Sequence, residues 1–213
     1  MQALEKISMN TNWIAIVLVF LFSIIAVLKV LDVEKLKGYA FALFNKGFIE
    51  DEAEEDTSFF SFFYSLLFVF SATVLALVFS LLISEKKADF SLSFSSFLTI
   101  LGVVFGYFIL KILLELALMK LFWIKKQVRF YIVSKFSYLY SISFFLLIFF
   151  VIFQFSPLNT SSFIYIAFVL FFLRFIFHVG NNKNLIFSEL FYFILYICAF
   201  EIAPLFVLSK LMF

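Results

Sequence analysis

The chain is poor in the residues on which most catalytic, metal and disulfide chemistry depends. Its 213 residues include one cysteine, one histidine, two prolines and five glycines. Cys198 alone excludes an internal disulfide, and no Cys/His set has metal-site spacing. No phosphate-binding glycine loop, metalloprotease motif, catalytic aspartate pair or nucleophile–base–acid set is present. We therefore expect neither an enzyme nor a bound cofactor or metal.

Charge is equally scarce. Charged residues make up 14% of the chain and the formal net charge is +2. This excess is too small and too dispersed for nucleic-acid binding. Hydrophobic residues reach 65%, whereas soluble domains are nearer half apolar. We interpret the 38 phenylalanines as apolar bulk that lipid accommodates, in preference to an aromatic binding site.

These properties predict an all-α integral membrane protein with a single transmembrane domain over 1–213. We predict six helices that cross the bilayer, since a span needs about 20 apolar residues. The predicted spans are 13–31, 59–84, 94–124, 136–155, 162–179 and 185–211. The third is over-long and is expected to tilt or project beyond the bilayer. It contains Gly102 and Gly106 at the spacing that lets two helices approach closely.

Residues 32–58 form the one sizeable segment between predicted spans. Apolar residues at helical spacing from Val33 to Phe44 predict a short interfacial helix in the headgroup plane. An acidic run follows: Glu50, Asp51, Glu52, Glu54, Glu55 and Asp56. This run could dock a basic partner or a divalent cation. We favour a solvated acidic turn, because the run lacks the glycine-centred spacing of a calcium loop.

The distribution of basic residues predicts the orientation. With six crossings, eleven lysines and arginines fall on one side and four on the other. The richer side carries the 32–58 and 120–135 segments. The positive-inside rule then places these segments in the cytoplasm and both termini in the periplasm of a bacterial inner membrane.

A few charged side chains fall inside the predicted spans, where an unpaired charge costs a few kcal/mol. They are Lys111 and Glu115 on the third span, Arg174 and His178 on the fifth, and Glu189 and Glu201 on the sixth. Matching their depths brings Lys111 within side-chain reach of Glu201. It also brings Glu115 or Glu189 near Arg174 and His178. We expect the three spans to meet around these groups.

Two interpretations of this network stay open. In the first, Glu201 changes protonation beside Lys111 and the helix break at Pro204, as in a proton or ion relay. In the second, a buried salt bridge only fixes how the helices pack. We favour the second, because transporters usually contain more than one broken helix.

Two stretches together resemble a known family. They are the Phe44–Ile49 segment with its acidic run, and the ending Tyr196-Ile-Cys-Ala-Phe-Glu-Ile-Ala-Pro204. The chain resembles an uncharacterised family of multi-pass inner-membrane proteins from Bacteroidota, known as a domain of unknown function. The resemblance implies location and topology but supplies no mechanism.

The sequence therefore favours a non-enzymatic subunit or assembly factor of an inner-membrane complex. Its partners would be the lipid bilayer and other membrane proteins, with no nucleic acid. Envelope export or motility is suggested by the apparent taxonomic group alone. A small-solute or proton-coupled transporter that uses Lys111, Glu115 and Glu201 is the alternative.

Overall fold

A computed structural model describes residues 12–54, 61–86, 92–122, 125–156 and 160–181. Within these ranges the chain forms seven α-helices and no strand, which confirms the all-α prediction for this part. The helices are α1 (Asn12–Leu31), α2 (Val33–Ala40), α3 (Lys46–Glu54), α4 (Phe62–Lys86), α5 (Phe94–Phe122), α6 (Lys125–Phe155) and α7 (Thr160–Asn181).

Four of these helices are long and apolar enough to cross a membrane. The candidate stretches are Asn12–Leu31, Phe62–Lys86, Phe94–Leu113 and Ile132–Phe155. They correspond to the first four predicted spans. The fifth predicted span falls on α7, whose apolar stretch, Ser162–Phe177, is shorter. The sixth, 185–211, lies outside the described residues, so the number of spans stays a prediction.

One helix is longer than predicted. We expected the fourth span to begin at Phe136, but α6 begins at Lys125. The basic segment before Phe136 contains lysine, glutamine and arginine, which are good helix formers, and neither glycine nor proline. The helix therefore starts well before its apolar part.

Helix α4 is at the centre of the bundle. It contacts α1, α5, α6 and α7, and every side chain from Ser71 to Val78 is buried. Small residues such as Ala72 and Ala76 let its neighbours approach closely. Phe70 is fully buried, and its ring lies 4.7 Å from that of Phe144 on α6.

Helices α2 and α3 form a hairpin, residues 32–54, at one end of this bundle. Asp32 caps α2 by accepting a hydrogen bond from the Lys35 backbone N–H at 2.9 Å. The Asn45 side chain accepts one from the Phe48 N–H at 3.2 Å, at the start of α3. Short polar side chains thus begin both helices, and a turn at 41–44 joins them.

The hairpin corrects part of the prediction for this segment. A helix is present where one was predicted, but α2 ends at Ala40 and not at Phe44, and its apolar side packs on the bundle, with Tyr39 buried. The predicted solvated turn is wrong for residues 50–54, because α3 continues as a helix to Glu54. Phe48, Ile49 and Glu52 share one helical face and turn it inward, so apolar packing holds the acidic helix against α6.

The Phe70–Phe144 contact generates a stability prediction. Phe70→Ala leaves a cavity between α4 and α6 and should lower the free energy of unfolding by about 3–5 kcal/mol. Phe62→Ala is the matched control, because Phe62 is on the same helix but is exposed. It should change stability by less than about 1 kcal/mol. Unfolding in mixed micelles measures both, and equal losses would contradict the central position of α4.

Candidate functional site

A buried carboxylate lies between the hairpin and the bundle. Glu52, on α3, is only 5% exposed although it belongs to the acidic run. The Tyr64 hydroxyl, near the start of α4, donates a hydrogen bond to Glu52 Oε1. Lys35 Nζ, on α2, lies 3.7 Å from the same oxygen. The carboxylate therefore connects three helices, with a hydrogen bond and a cation to offset the cost of its burial.

Tyr39 extends this network into the bundle. Burial raises the pKa of the Tyr39 phenol far above its ordinary range, and the nearby Tyr64 and Glu52 raise it further. The Tyr39 ring centroid lies 6.1 Å from that of Tyr64, so Tyr39 packs beside the pair that Tyr64 forms with Glu52.

Aromatic rings enclose Tyr39 on several sides. Its ring centroid lies 5.1 Å from that of Phe48, 5.7 Å from that of Tyr140 on α6 and 6.1 Å from that of Tyr64, all nearly edge-to-face. Such geometry suits the ring quadrupoles. Gly38 lies directly against the Phe48 ring, where an added Cβ would overlap it. Glycine at this position lets α2 and α3 approach closely enough to close the cluster.

Hydroxyl groups on α6 lie on the side that the hairpin covers. Ser134, Ser137, Tyr138 and Ser141 are spaced at i, i+3, i+4 and i+7 and are all buried; we call them the hydroxyl stripe. Ser141 Oγ donates to the Ala40 carbonyl of α2 at 2.8 Å. Among the described residues, Ser137 Oγ is buried without a hydrogen-bond partner. An unsatisfied buried hydroxyl costs about 1–3 kcal/mol.

An arginine of α7 contacts the backbone of α6 near the stripe. Arg174 Nη2 donates to the backbone carbonyl of Lys135 at 3.3 Å, and Lys135 is 4% exposed. This contact joins the two helices near the hairpin, since Phe177 of α7 also lies against Phe44. The hairpin, the N-terminal part of α6 and the C-terminal part of α7 therefore occupy the same end of the bundle.

Both titratable groups of the site have neighbours in the fold. Tyr64 and Lys35 contact the Glu52 carboxylate, and burial raises the pKa of the Tyr39 phenol above its ordinary value. In the part of the chain that the structure describes, no cluster of three or more His, Cys, Asp or Glu residues could hold a metal ion.

The structure describes two of the charged groups predicted within the spans. Lys111 is buried on α5, and its Nζ lies 5.7 Å from the centroid of the Tyr107 ring. That separation is within cation–π range. Arg174 contacts Lys135, as described above.

The other members of the predicted network cannot be placed. Glu115 and His178 are on α5 and α7, but their side chains are outside the described set. Glu189, Glu201 and the predicted helix break at Pro204 lie outside the described residues. The pairing of Lys111 with Glu201 therefore stays a prediction.

The glycine pair on α5 does not mediate packing among the described helices. A Cβ built at Gly102 or at Gly106 would meet no atom within 4 Å. Both glycines are exposed in the part of the chain that is described. Their proposed role in close helix packing stays a prediction.

The acidic run divides between two faces of α3. Glu50, Asp51 and Glu54 are exposed, and Glu50 pairs with Lys46 at 3.0 Å on the surface. Glu52 faces inward and is not available for docking a partner. Glu55 and Asp56 lie outside the described residues.

Sequence reasoning missed Glu52, Tyr64, Tyr39 and Lys35 as one group. A signal was present, because Phe48, Ile49 and Glu52 repeat at helical spacing through the acidic run. The opposing tyrosine belongs to another helix, and a one-dimensional pattern does not show which helices meet.

Comparison with known families adds one finding. A family model described as domain of unknown function (DUF4271) matches residues 14–212, nearly the whole chain. The chain belongs to this family. No curated protein and no solved structure matches it. Membership of DUF4271 confirms the resemblance to a family of unknown function, whereas the Bacteroidota source and the diagnostic ending stay predictions.

The hydrogen bond between Tyr64 and Glu52 yields a local stability prediction. Tyr64→Phe keeps the ring but leaves a buried carboxylate oxygen without its donor. We expect amide exchange in α3 to accelerate by a factor that corresponds to about 1–3 kcal/mol. Glu50→Gln is the control, since the Lys46–Glu50 pair is half-exposed and such pairs contribute about 1 kcal/mol or less. Unchanged α3 exchange in Tyr64→Phe would contradict the role given to this hydrogen bond.

Proposed function

We propose that this chain is a multi-pass bacterial inner-membrane protein that acts as a non-enzymatic subunit or assembly factor of a larger membrane complex. Four apolar helices of spanning length support its placement in a membrane. The alternation of basic segments supports the orientation with the hairpin in the cytoplasm. The export or motility setting rests only on the taxonomic resemblance.

The observation that carries this proposal is the way the hairpin presents its acidic residues. The inward face of α3 is anchored by Ile49 and Glu52, so the outward face is displayed on an ordered helix. On that outward face, Lys46 neutralises Glu50. Asp51 and Glu54 are exposed beside this pair. An ordered, net acidic surface at the basic end of a membrane protein suits contact with a basic segment of a partner.

The surface is better suited to recognition than to chemistry. Glu52, the carboxylate buried at the site, is already paired. The exposed acids lie on one helix with no enclosing wall among the described residues. Surface charges of this kind accelerate association and select partners, but each contributes little to affinity. We therefore expect a contact that is strengthened by membrane co-localisation and weakened by salt.

Native purification tests this proposal. The tagged full chain, extracted in a mild detergent at low salt, should retain a stoichiometric partner detectable by mass spectrometry. Asp51→Asn combined with Glu54→Gln should reduce partner recovery about three- to tenfold, since two rim charges are removed. Glu34→Gln is the matched control, because Glu34 is an exposed acid on the other helix of the hairpin.

Two results would contradict the proposal at different levels. Recovery of the chain without any stoichiometric partner would oppose the subunit function. A partner that is retained equally by the double variant and by Glu34→Gln would oppose docking at α3 and leave the subunit function in place.

A small-solute or proton-coupled transporter is the second candidate. The observation that favours it is the burial of Lys111 within an apolar helix. Intramembrane ionisable residues often mark ion or proton pathways. Under this proposal Lys111 works with Glu115 and Glu201.

Reconstitution into liposomes tests the second candidate. A relay predicts potential-driven proton uptake by the native chain and its loss in a folded Glu201→Gln variant. Lys111→Met should destabilise the protein under either function, so it does not discriminate. Normal uptake by a stable Glu201→Gln variant would end the relay proposal.

A further inference from the structure

The contact between the hairpin and α6 combines an apolar seal with an underside rich in hydroxyl groups. The apolar part comes from Tyr39, Ala42, Leu43 and Ile49, which are all buried. Across from them, the hydroxyl stripe of α6 is also buried, and Ser141 contacts the hairpin directly.

The hydroxyl of Ser137 differs from those of other buried serines in the bundle. Ser137 Oγ is buried and has no hydrogen-bond partner among the described residues. Other buried serines on the bundle helices satisfy their hydroxyls within their own helix, as Ser80 does with Ala76 and Ser143 with Leu139. Water that reaches Ser137 would give its hydroxyl a hydrogen bond, which offsets part of the free-energy cost of opening.

Polar contacts as well as apolar packing join the hairpin to the bundle. Ser141 Oγ of α6 donates to the Ala40 carbonyl at 2.8 Å, and Glu52 of α3 accepts from the Tyr64 hydroxyl of α4. The Glu52 carboxylate also lies 3.7 Å from Lys35, which is 28% exposed, and solvent weakens an ion pair of this kind. Glu52 therefore supplies the charged part of the contact between the hairpin and the bundle.

We propose that the α2–α3 hairpin is a movable cap that opens from α6 and admits water to the hydroxyl stripe, with the Glu52 carboxylate as its latch. In the closed state Tyr64 and Lys35 hold the carboxylate, and the Tyr39 ring is enclosed. In the open state Ser137 and its neighbours face water. This inference concerns the chain alone and is independent of any partner at the outer face of α3.

Thiol labelling of the full chain in detergent tests the cap directly. Cys198→Ser removes the native thiol, and Ser137→Cys places a new one under the hairpin. Ser80→Cys is the matched control, because Ser80 is buried on α4 with a satisfied hydroxyl. A charged, membrane-impermeant methanethiosulfonate reagent should modify position 137 at least about tenfold faster than position 80.

The latch is tested in the same background. Glu52→Gln should accelerate labelling at position 137 about tenfold further and leave position 80 unchanged, because it weakens the contacts of the hairpin. Gly38→Ala provides a second opening variant, since its Cβ would overlap the Phe48 ring inside the hairpin. Gly38→Ala should also accelerate labelling at position 137 and leave labelling at position 80 unchanged.

Each outcome decides the proposal. Equal labelling at positions 137 and 80, both with native Glu52 and in Glu52→Gln, would show that the cap stays shut. That result would overturn the proposal. Faster labelling at 137 that Glu52→Gln does not change would reject Glu52 as the latch. If Glu52→Gln accelerates both positions, the bundle has loosened, and Gly38→Ala decides: acceleration at 137 alone supports the cap, and any other result overturns it.

Discussion

The placement of one carboxylate constrains the organisation of this end of the molecule. Glu52 is buried, and a buried carboxylate persists only where hydrogen bonds and a counter-charge offset its lost hydration. Tyr64 and Lys35 supply these, and each comes from a different helix. The hairpin must therefore fold back onto α4. If α3 were rotated half-way about its own axis, Glu52 would face solvent. The aromatic cluster around Tyr39 would then lose the Phe48 ring.

The rest of the bundle makes this arrangement possible. Helix α4 provides both the central packing surface and, at its first turns, the tyrosine that reaches Glu52. Helix α6 offers a surface on which the hairpin rests, through Tyr140, Ser141 and Phe145. In the closed hairpin the acidic residues of α3 have two roles. Glu52 is buried as the latch, and the exposed acids form a net acidic face. A single amphipathic helix thus combines attachment with the surface that we assign to partner contact.

Much of the fold follows from one-dimensional patterns. Long apolar runs predict where α1, α4 and α5 lie, and the helical spacing from Val33 predicts α2, because both patterns reflect local burial. The acidic run misled the prediction, since dense charge suggested solvation while its apolar residues, Phe48 and Ile49, kept helical spacing. The Tyr64 contact could not be predicted, because it depends on how separate helices pack. The pairing of Lys111 with Glu201 stays a prediction for the same reason. Membership of the DUF4271 family shows that the chain has relatives, but it supplies no mechanism.

A double-mutant cycle between Glu52 and Tyr64 tests the central claim most directly. Hydrogen exchange of the α3 amides gives the opening free energy of the native chain, of Glu52→Gln, of Tyr64→Phe and of the double variant. If the two side chains bind one another across the hairpin–bundle contact, the losses should be non-additive, with a coupling of about 0.5–3 kcal/mol. Losses that add to within about 0.3 kcal/mol would show that Glu52 and Tyr64 act independently, and they would contradict this account.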